Sequence, residues 1–320
     1  EIALQGVLVK TRDWNVTAGF NINFNRGKVD KLADNVTGLY GTEWATSSTF
    51  PKSDYVLKEG RPVGLVRGLT ADGFYTTDDF TYENGVYTLK EGVADVSSAV
   101  FPNYHLHNGM NERPAGQLAY PGMAKFKDLN DDGIINDDDV DVIGDMTPVH
   151  TGGFNINATY KNFDLGLYFN WSYGNEIYNV NKLAALYGYK EGAVYENKLS
   201  IVKDCYKIYD VVNGELVALT TPEQLNAANA NAKLPLAYSE NGYVSTLGIE
   251  DGSYLRLNTL TLGYTLPKSM LQKAGISNLR VYGSIYNVFT ITGYSGIDAE
   301  VSTSTSTKTY PQLGMDWVLI

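Results

Sequence analysis

The chain has 320 residues, a formal net charge of -11 and a pI near 4.8, so it carries no basic stripe of the kind that contacts nucleic-acid phosphates. Hydrophobic residues make up 43% at a mean hydropathy of -0.21, with no apolar run near the about 20 residues a helical span needs, which excludes a helical membrane protein. A single cysteine, Cys205, excludes an internal disulfide framework, and no catalytic partner stands near it.

The first predicted strand covers Ile2 to Lys10 and turns tightly through Thr11, Arg12 and Asp13. Beyond the turn, Val16, Ala18, Phe20, Ile22 and Phe24 alternate with Asn15, Thr17, Gly19, Asn21, Asn23 and Asn25, giving one apolar and one wet face. A very long stretch, Arg26 to His150, follows, and near its end stands an acidic loop, 128–139. Asp128, Asn130 and Asp132 occupy its positions one, three and five, Gly133 the sixth, Ile135 the eighth and Asp139 the twelfth. This is calcium-loop spacing: hard oxygens at alternate positions, the Ile134 carbonyl at seven, Asn136 at nine binding directly or through water, and a glycine for the sharp turn. A dication offsets the repulsion of Asp128, Asp132 and Asp139, so Ca2+ is expected here in a structural role. The closing residue is Asp, as in dockerin-type loops.

A second pair of strands follows. Phe154, Ile156, Ala158 and Tyr160 oppose Asn155, Asn157 and Thr159; after Lys161 and Asn162, the residues Phe163, Leu165, Leu167, Phe169, Trp171 and Tyr173 oppose Asp164, Gly166, Asn170 and Ser172. Each run is about ten residues, the length of a tilted transmembrane β-strand. Next comes the stretch Gly174 to Gly252, where Thr221 to Gln224 reads as a capping box opening a short helix. Tyr254 to Thr265 and Leu279 to Thr290 form a third pair, joined through a small helix with Pro267 at its first position and Gly275 at its cap. Short connections alternating with very long ones are the asymmetry of outer-membrane barrels. The expected class is therefore all-β, a portion of an antiparallel transmembrane β-barrel with long extracellular loops.

Residues for substrate contact are sparsely marked. Trp44, Tyr104, Tyr178, Tyr187 and Tyr189 fall in the long stretches, where they suit sugar stacking, partner contact or plain loop packing. His105 and His107 have same-face strand spacing without a third metal ligand, and Asp78 and Asp79 are adjacent rather than opposed, so no glycosidase pair follows. No catalytic residue is expected, and the residues alone leave open a calcium-stabilised surface binding or adhesion protein, although a dockerin would need a second loop.

Four segments in order, Gly60 to Phe80, Phe126 to Pro148, Gly152 to Asn179 and Asp251 to Val301, resemble the carboxy-terminal part of SusC/RagA-like TonB-dependent outer-membrane transporters of Bacteroidota. The resemblance implies a large plugged barrel that imports glycans or peptides, energised through TonB, with a SusD-like surface lipoprotein closing its mouth. It also implies a plug and TonB-contacting region ahead of this sequence and a closing strand after it, so a fragment is expected. In that topology the short turns face the periplasm, and 26–150, 174–252 and 291–313 are extracellular, with the Ser/Thr-rich Val301 to Thr309 a flexible tip.

Overall fold

The computed structural model describes residues 1–41, 49–101, 113–186, 199–237, 242–272 and 275–300. Six long strands form one antiparallel sheet: β1 (Ile2–Lys10), β2 (Trp14–Asn23), β3 (His150–Tyr160), β4 (Phe163–Tyr173), β5 (Tyr254–Thr265) and β6 (Arg280–Thr292). Each pairs with the next in sequence, an up-and-down order that among the described residues leaves β1 and β6 at the edges. All three expected hairpins are therefore present, and β3 and β6 extend past the limits read from the sequence because His150 pairs with Tyr173 and Ile291 with Leu255.

Register decides the faces. Leu4, Phe20, Phe154, Phe169, Leu257 and Phe289 stand in one cross-strand row, and Gly6, Ala18, Ile156, Leu167, Leu260 and Ile285 in the next. One face of the sheet is thus apolar across all six strands. Strict alternation would put Leu257 and Leu260 on opposite faces, but an irregularity at Asn258 inserts one residue and keeps both with their apolar neighbours. Aromatic rings border this face at both ends. Trp14 meets Tyr160 at 4.5 Å and Phe163 meets Tyr264 at 4.6 Å beside the short turns; His150 stacks on Tyr173 at 5.0 Å and Phe20 on Trp171 at 5.4 Å beside the long connections. Ten residues separate the two borders along β3, roughly 30 Å of strand, which after tilting matches an apolar band about 25 Å tall.

Gly152 is needed under one of these rings: a Cβ there would lie 2.4 Å from the Trp171 indole and 2.3 Å from the Asn21 carbonyl oxygen. Trp171 therefore lies flat over its cross-strand partner. Lys161 takes a positive φ of 52° in the two-residue turn between Tyr160 and Phe163. In the β5–β6 connection the expected helix is α3 (Lys268–Leu271), but Pro267 stands at its N-cap with extended ψ rather than at its first position; Gly275 does take a positive φ of 67°.

The described parts of the first two long connections, within 24–149 and 174–253, are folded. They carry small sheets, α1 (Val180–Leu186) and α2 (Pro222–Asn229), and share a core in which Tyr75, Tyr87, Tyr120 and Ile135 from the first meet Leu225 and Tyr243 from the second. Thr49 and Phe50 pair in parallel with Gly242 and Tyr243, and Leu69 N–H donates to the Val244 carbonyl at 2.9 Å. Helix α2 begins with the expected capping box, Thr221 Oγ1 accepting from Gln224 N–H while Gln224 Oε1 accepts from Thr221 N–H. The Thr77 hydroxyl then ties this helix to the first connection through Asn226 at 2.7 Å.

Candidate functional site

The second face of the sheet is polar and uncharged at mid-height. Asn155, Tyr168, Thr259 and Tyr286 share one row, and Thr17, Asn157, Gly166, Thr261 and Ser284 the next. The Tyr168 hydroxyl donates to Asn157 Oδ1 at 3.1 Å, Asn157 Nδ2 to Asn155 Oδ1 at 3.1 Å, and the Thr261 and Ser284 hydroxyls meet at 2.8 Å. Among the described residues charge appears only above and below these two rows, where Asp164 pairs with Arg280 and Arg256 with Asp298 and Glu300. Arg280 Nε donates to Asp164 at 2.9 Å near the short turns.

Arg256 lies toward the long connections and is 7% exposed. Its guanidinium donates to Thr290 Oγ1 at 2.9 Å, to Glu300 at 2.8 Å and to Asp298. The last two partners arrive from the segment after β6, which is thereby folded back onto the polar face. The same segment is fixed at its other end, where Glu250 accepts from Lys182 of α1 and from the Ser295 N–H and hydroxyl, each at 2.8 Å. Burial opposes ionisation of Glu250, but these donors outweigh it and hold the carboxyl below the usual glutamate range. Tyr294, Ile177 and Ala299 close a small apolar cluster beside it. A strap, residues 293–300, so joins the sheet to the second connection.

The acidic loop adopts its turn through Asp131 and Gly133, with φ of 57° and 85°. Asp128 accepts from the Asp132 and Gly133 N–H groups at 3.3 and 2.7 Å, Asn130 Oδ1 from Asp132 N–H at 3.1 Å, and Asp132 from Ile134 N–H at 2.9 Å. Asp139 is fully buried, and accepts from Leu129 and Asn136 N–H at 2.7 and 2.8 Å, drawing the loop's two ends together. Asn136 caps the following turn by accepting from Asp138 N–H at 2.7 Å. Ile135 sits in the shared core and pairs with Val96, so the apolar eighth position anchors the loop. Among the described residues no three His, Cys, Asp or Glu side chains are grouped as a metal site. The backbone turn has the form expected of a calcium loop, and its carboxylates are held by backbone amides.

Of the other residues marked in the sequence, Tyr178 is 7% exposed and packs with Val66, Val180, Leu183 and Val244, a core role rather than a contact surface. Asp79 is held by Lys125 at 2.7 Å and by the Thr76 N–H. Cys205 is buried, which pushes its thiol up to about 11 and makes it a poor nucleophile. Trp44, Tyr104, His105, His107, Tyr187, Tyr189 and the stretch Val301 to Thr309 lie outside the described residues. The sequence reading missed Tyr168, Tyr286 and the Arg256 cluster. An aromatic residue standing in the polar register of a strand is the signal that marks the first two.

No family model matches the chain. It is 28% identical over 322 residues to TonB-dependent receptor P3 of Formosa agariphila, covering 99% of this chain and 26% of that protein. Against TonB-dependent receptor SusC of Bacteroides thetaiotaomicron it is 24% identical over 319 residues, 98% of this chain and 25% of SusC. The RagAB peptide importer in its closed-closed state superposes with a TM-score of 0.60 at 21% identity, over 97% of this chain and 27% of that one. The chain thus spans about a quarter of the length of the relatives it matches.

Proposed function

We infer that this chain, a segment of a SusC/RagA-like TonB-dependent receptor, supplies part of the wall and outer mouth of an outer-membrane nutrient importer that takes up oligosaccharides or peptides. The observation that carries the reading is the six-stranded sheet, apolar and aromatic-bordered on one face and polar on the other, with short turns at one end and folded long connections at the other. Lipid faces the apolar side, and the polar side faces the lumen. The long connections lie outside the cell, where a SusD-like surface lipoprotein covers the mouth, and TonB energises transport. The topology is tested by inserting a protease site at the exposed Asn213–Gly214 turn of the full-length receptor in intact cells. Cleavage from outside is expected; cleavage only after lysis, with and without the lipoprotein, would reverse the orientation.

The acidic loop belongs to the same reading as a structural calcium site. Asp128, Asn130, Asp132 and Asp139, with the Ile134 carbonyl and Asn136, would hold the ion, which supplies positive charge among clustered carboxylates. Calorimetric titration of the full-length receptor with Ca2+ should show one site that the Asp128→Ala, Asp132→Ala double variant loses. Equal binding by both proteins would remove calcium from this loop.

A further inference from the structure

We propose that the strap, residues 293–300, is a clasp that locks a glycine hinge between the sheet and the folded connections. The proposal rests on the importer reading above and adds a moving part to it: the clasp sets how far the outer body, formed by those connections, leans over the mouth. The hinge lies where β4 and β5 stop pairing. Their last pair is Ser172 with Tyr254, and the two chains pair again only beyond Gly174 and Gly252, as the short strands Glu176–Tyr178 and Ile249–Asp251. Within the break, Gly174 N–H donates to Ser253 Oγ at 2.9 Å and Gly252 N–H to the Asn175 carbonyl at 2.8 Å. Gly174 takes a positive φ of 78°, and a Cβ on Gly252 would collide with Asn175 and Ile177, so both chains turn where no side chain fits. A few residues at element ends are where hinge motion is absorbed. Beyond the break the short pair belongs to the outer body, because Tyr178 and Leu183 pack with Val66 and Val244.

The strap holds both sides of that break. On the body side, Ser295 donates its N–H and its hydroxyl to Glu250, which Lys182 of α1 also holds. On the sheet side, Asp298 and Glu300 accept from Arg256 of β5. Between these ends Tyr294 joins Ile177 from beyond the break and Tyr254 from before it in one apolar cluster, and a Cβ on Gly296 would collide with the Tyr294 ring. The root of the strap is fixed as well, the Thr292 hydroxyl donating to the Ser253 carbonyl at 2.9 Å. Both ends are charge-assisted, each bond roughly twice as strong as a neutral one. A strap released at one end follows only one of the two bodies, so the hinge is locked only while both ends hold. All of these partners belong to this chain, and the device does not depend on which of its surfaces are free.

The test is double electron–electron resonance on the full-length receptor in lipid nanodiscs, with spin labels at Asp13→Cys in a short turn and Ala227→Cys on α2. One distance is expected in the parent, with any second population below about 10%. Cutting the sheet end (Asp298→Asn with Glu300→Gln) or the body end (Glu250→Gln with Ser295→Ala) should make the same second distance the larger population, a shift of at least about tenfold in the equilibrium. Cutting both ends should move it no further, because one open end already frees the hinge. Gel migration of the unheated barrel verifies that each variant folds. A single unchanged distance in both cut variants, with or without lowered thermal stability, assigns the strap to packing and overturns the clasp. A parent already divided between two distances overturns it too, and so do effects of the two ends that simply add, since those are independent contacts. The measurement needs neither substrate nor TonB, so it decides the clasp separately from the importer reading, which the protease site at Asn213–Gly214 decides. A reversed orientation there would remove the mouth and with it the clasp's role.

Discussion

Leu167→Arg should destabilise the full-length receptor by about 2 to 4 kcal/mol, because it places a guanidinium on the lipid face near the bilayer centre. Leu167 lies close to the middle of the eleven-residue strand β4, flanked by Ile156 and Leu260 on the neighbouring strands, all on the apolar face. Near either aromatic border an arginine can extend its stem so that the charge reaches the headgroups, and the cost falls to about 0 to 1 kcal/mol. Thr261→Arg makes the matched comparison. Thr261 is one residue along β5 from Leu260, the cross-strand partner of Leu167, and so lies at nearly the same height but on the polar face, where the charge stays hydrated and the expected cost is at most about 1 kcal/mol. Denaturant unfolding of the receptor in lipid vesicles reads both values. A larger loss for Thr261→Arg than for Leu167→Arg would turn the sheet inside out.

The second large effect concerns the strap. Asp298→Ala with Glu300→Ala should cost about 3 kcal/mol, the usual penalty for stranding a buried charge without its partners. Arg256 is 7% exposed, and after this change it retains a neutral hydroxyl, Thr290 Oγ1 at 2.9 Å, and the Tyr254 ring 5.5 Å away. Neither offsets the lost carboxylates. Arg256→Met should cost less, because the two acids are 31% and 51% exposed and can rehydrate. The asymmetry separates a buried cation that needs partners from an ion pair of symmetric worth. Hydrogen exchange is the direct readout, since Ser295 N–H donates to Glu250 at 2.8 Å and is protected only while the strap is seated. Rapid exchange at Ser295 is expected in the double alanine variant. Unchanged protection there would show that Tyr294 and Glu250 hold the strap without the arginine.

Much of the wall was legible in the sequence because its determinants are local. Period-two alternation needs only neighbouring residues, so the apolar sets of β2, β3 and β4 and the hairpin turn at Lys161 and Asn162 could be read directly. Spacing marked the acidic loop in the same way, including the Ile135 anchor, and the Thr221 to Gln224 box announced α2. Where alternation breaks, the sequence alone is ambiguous: Leu257 and Leu260 share a face only because the chain bulges at Asn258 to follow β4. The small helix before β6 was placed one residue early, since Pro267 suits an N-cap as readily as a first helical position.

By itself the sequence determined an all-β class, with paired two-faced strands and uneven connections, because alternation and connection length are local properties; half-buried soluble strands alternate in the same way, and the unevenness of the connections is what favoured a membrane wall. Tertiary structure alone decided what the connections do and which polar groups meet. Tyr75 and Tyr87 join Leu225 in one core, and Arg256 finds Asp298 and Glu300, respectively 42 and 44 positions later. Tyr168 and Tyr286 become neighbours in one row only through the register of β4, β5 and β6. Such pairings depend on where distant segments are brought together, and no short-range periodicity encodes that distance.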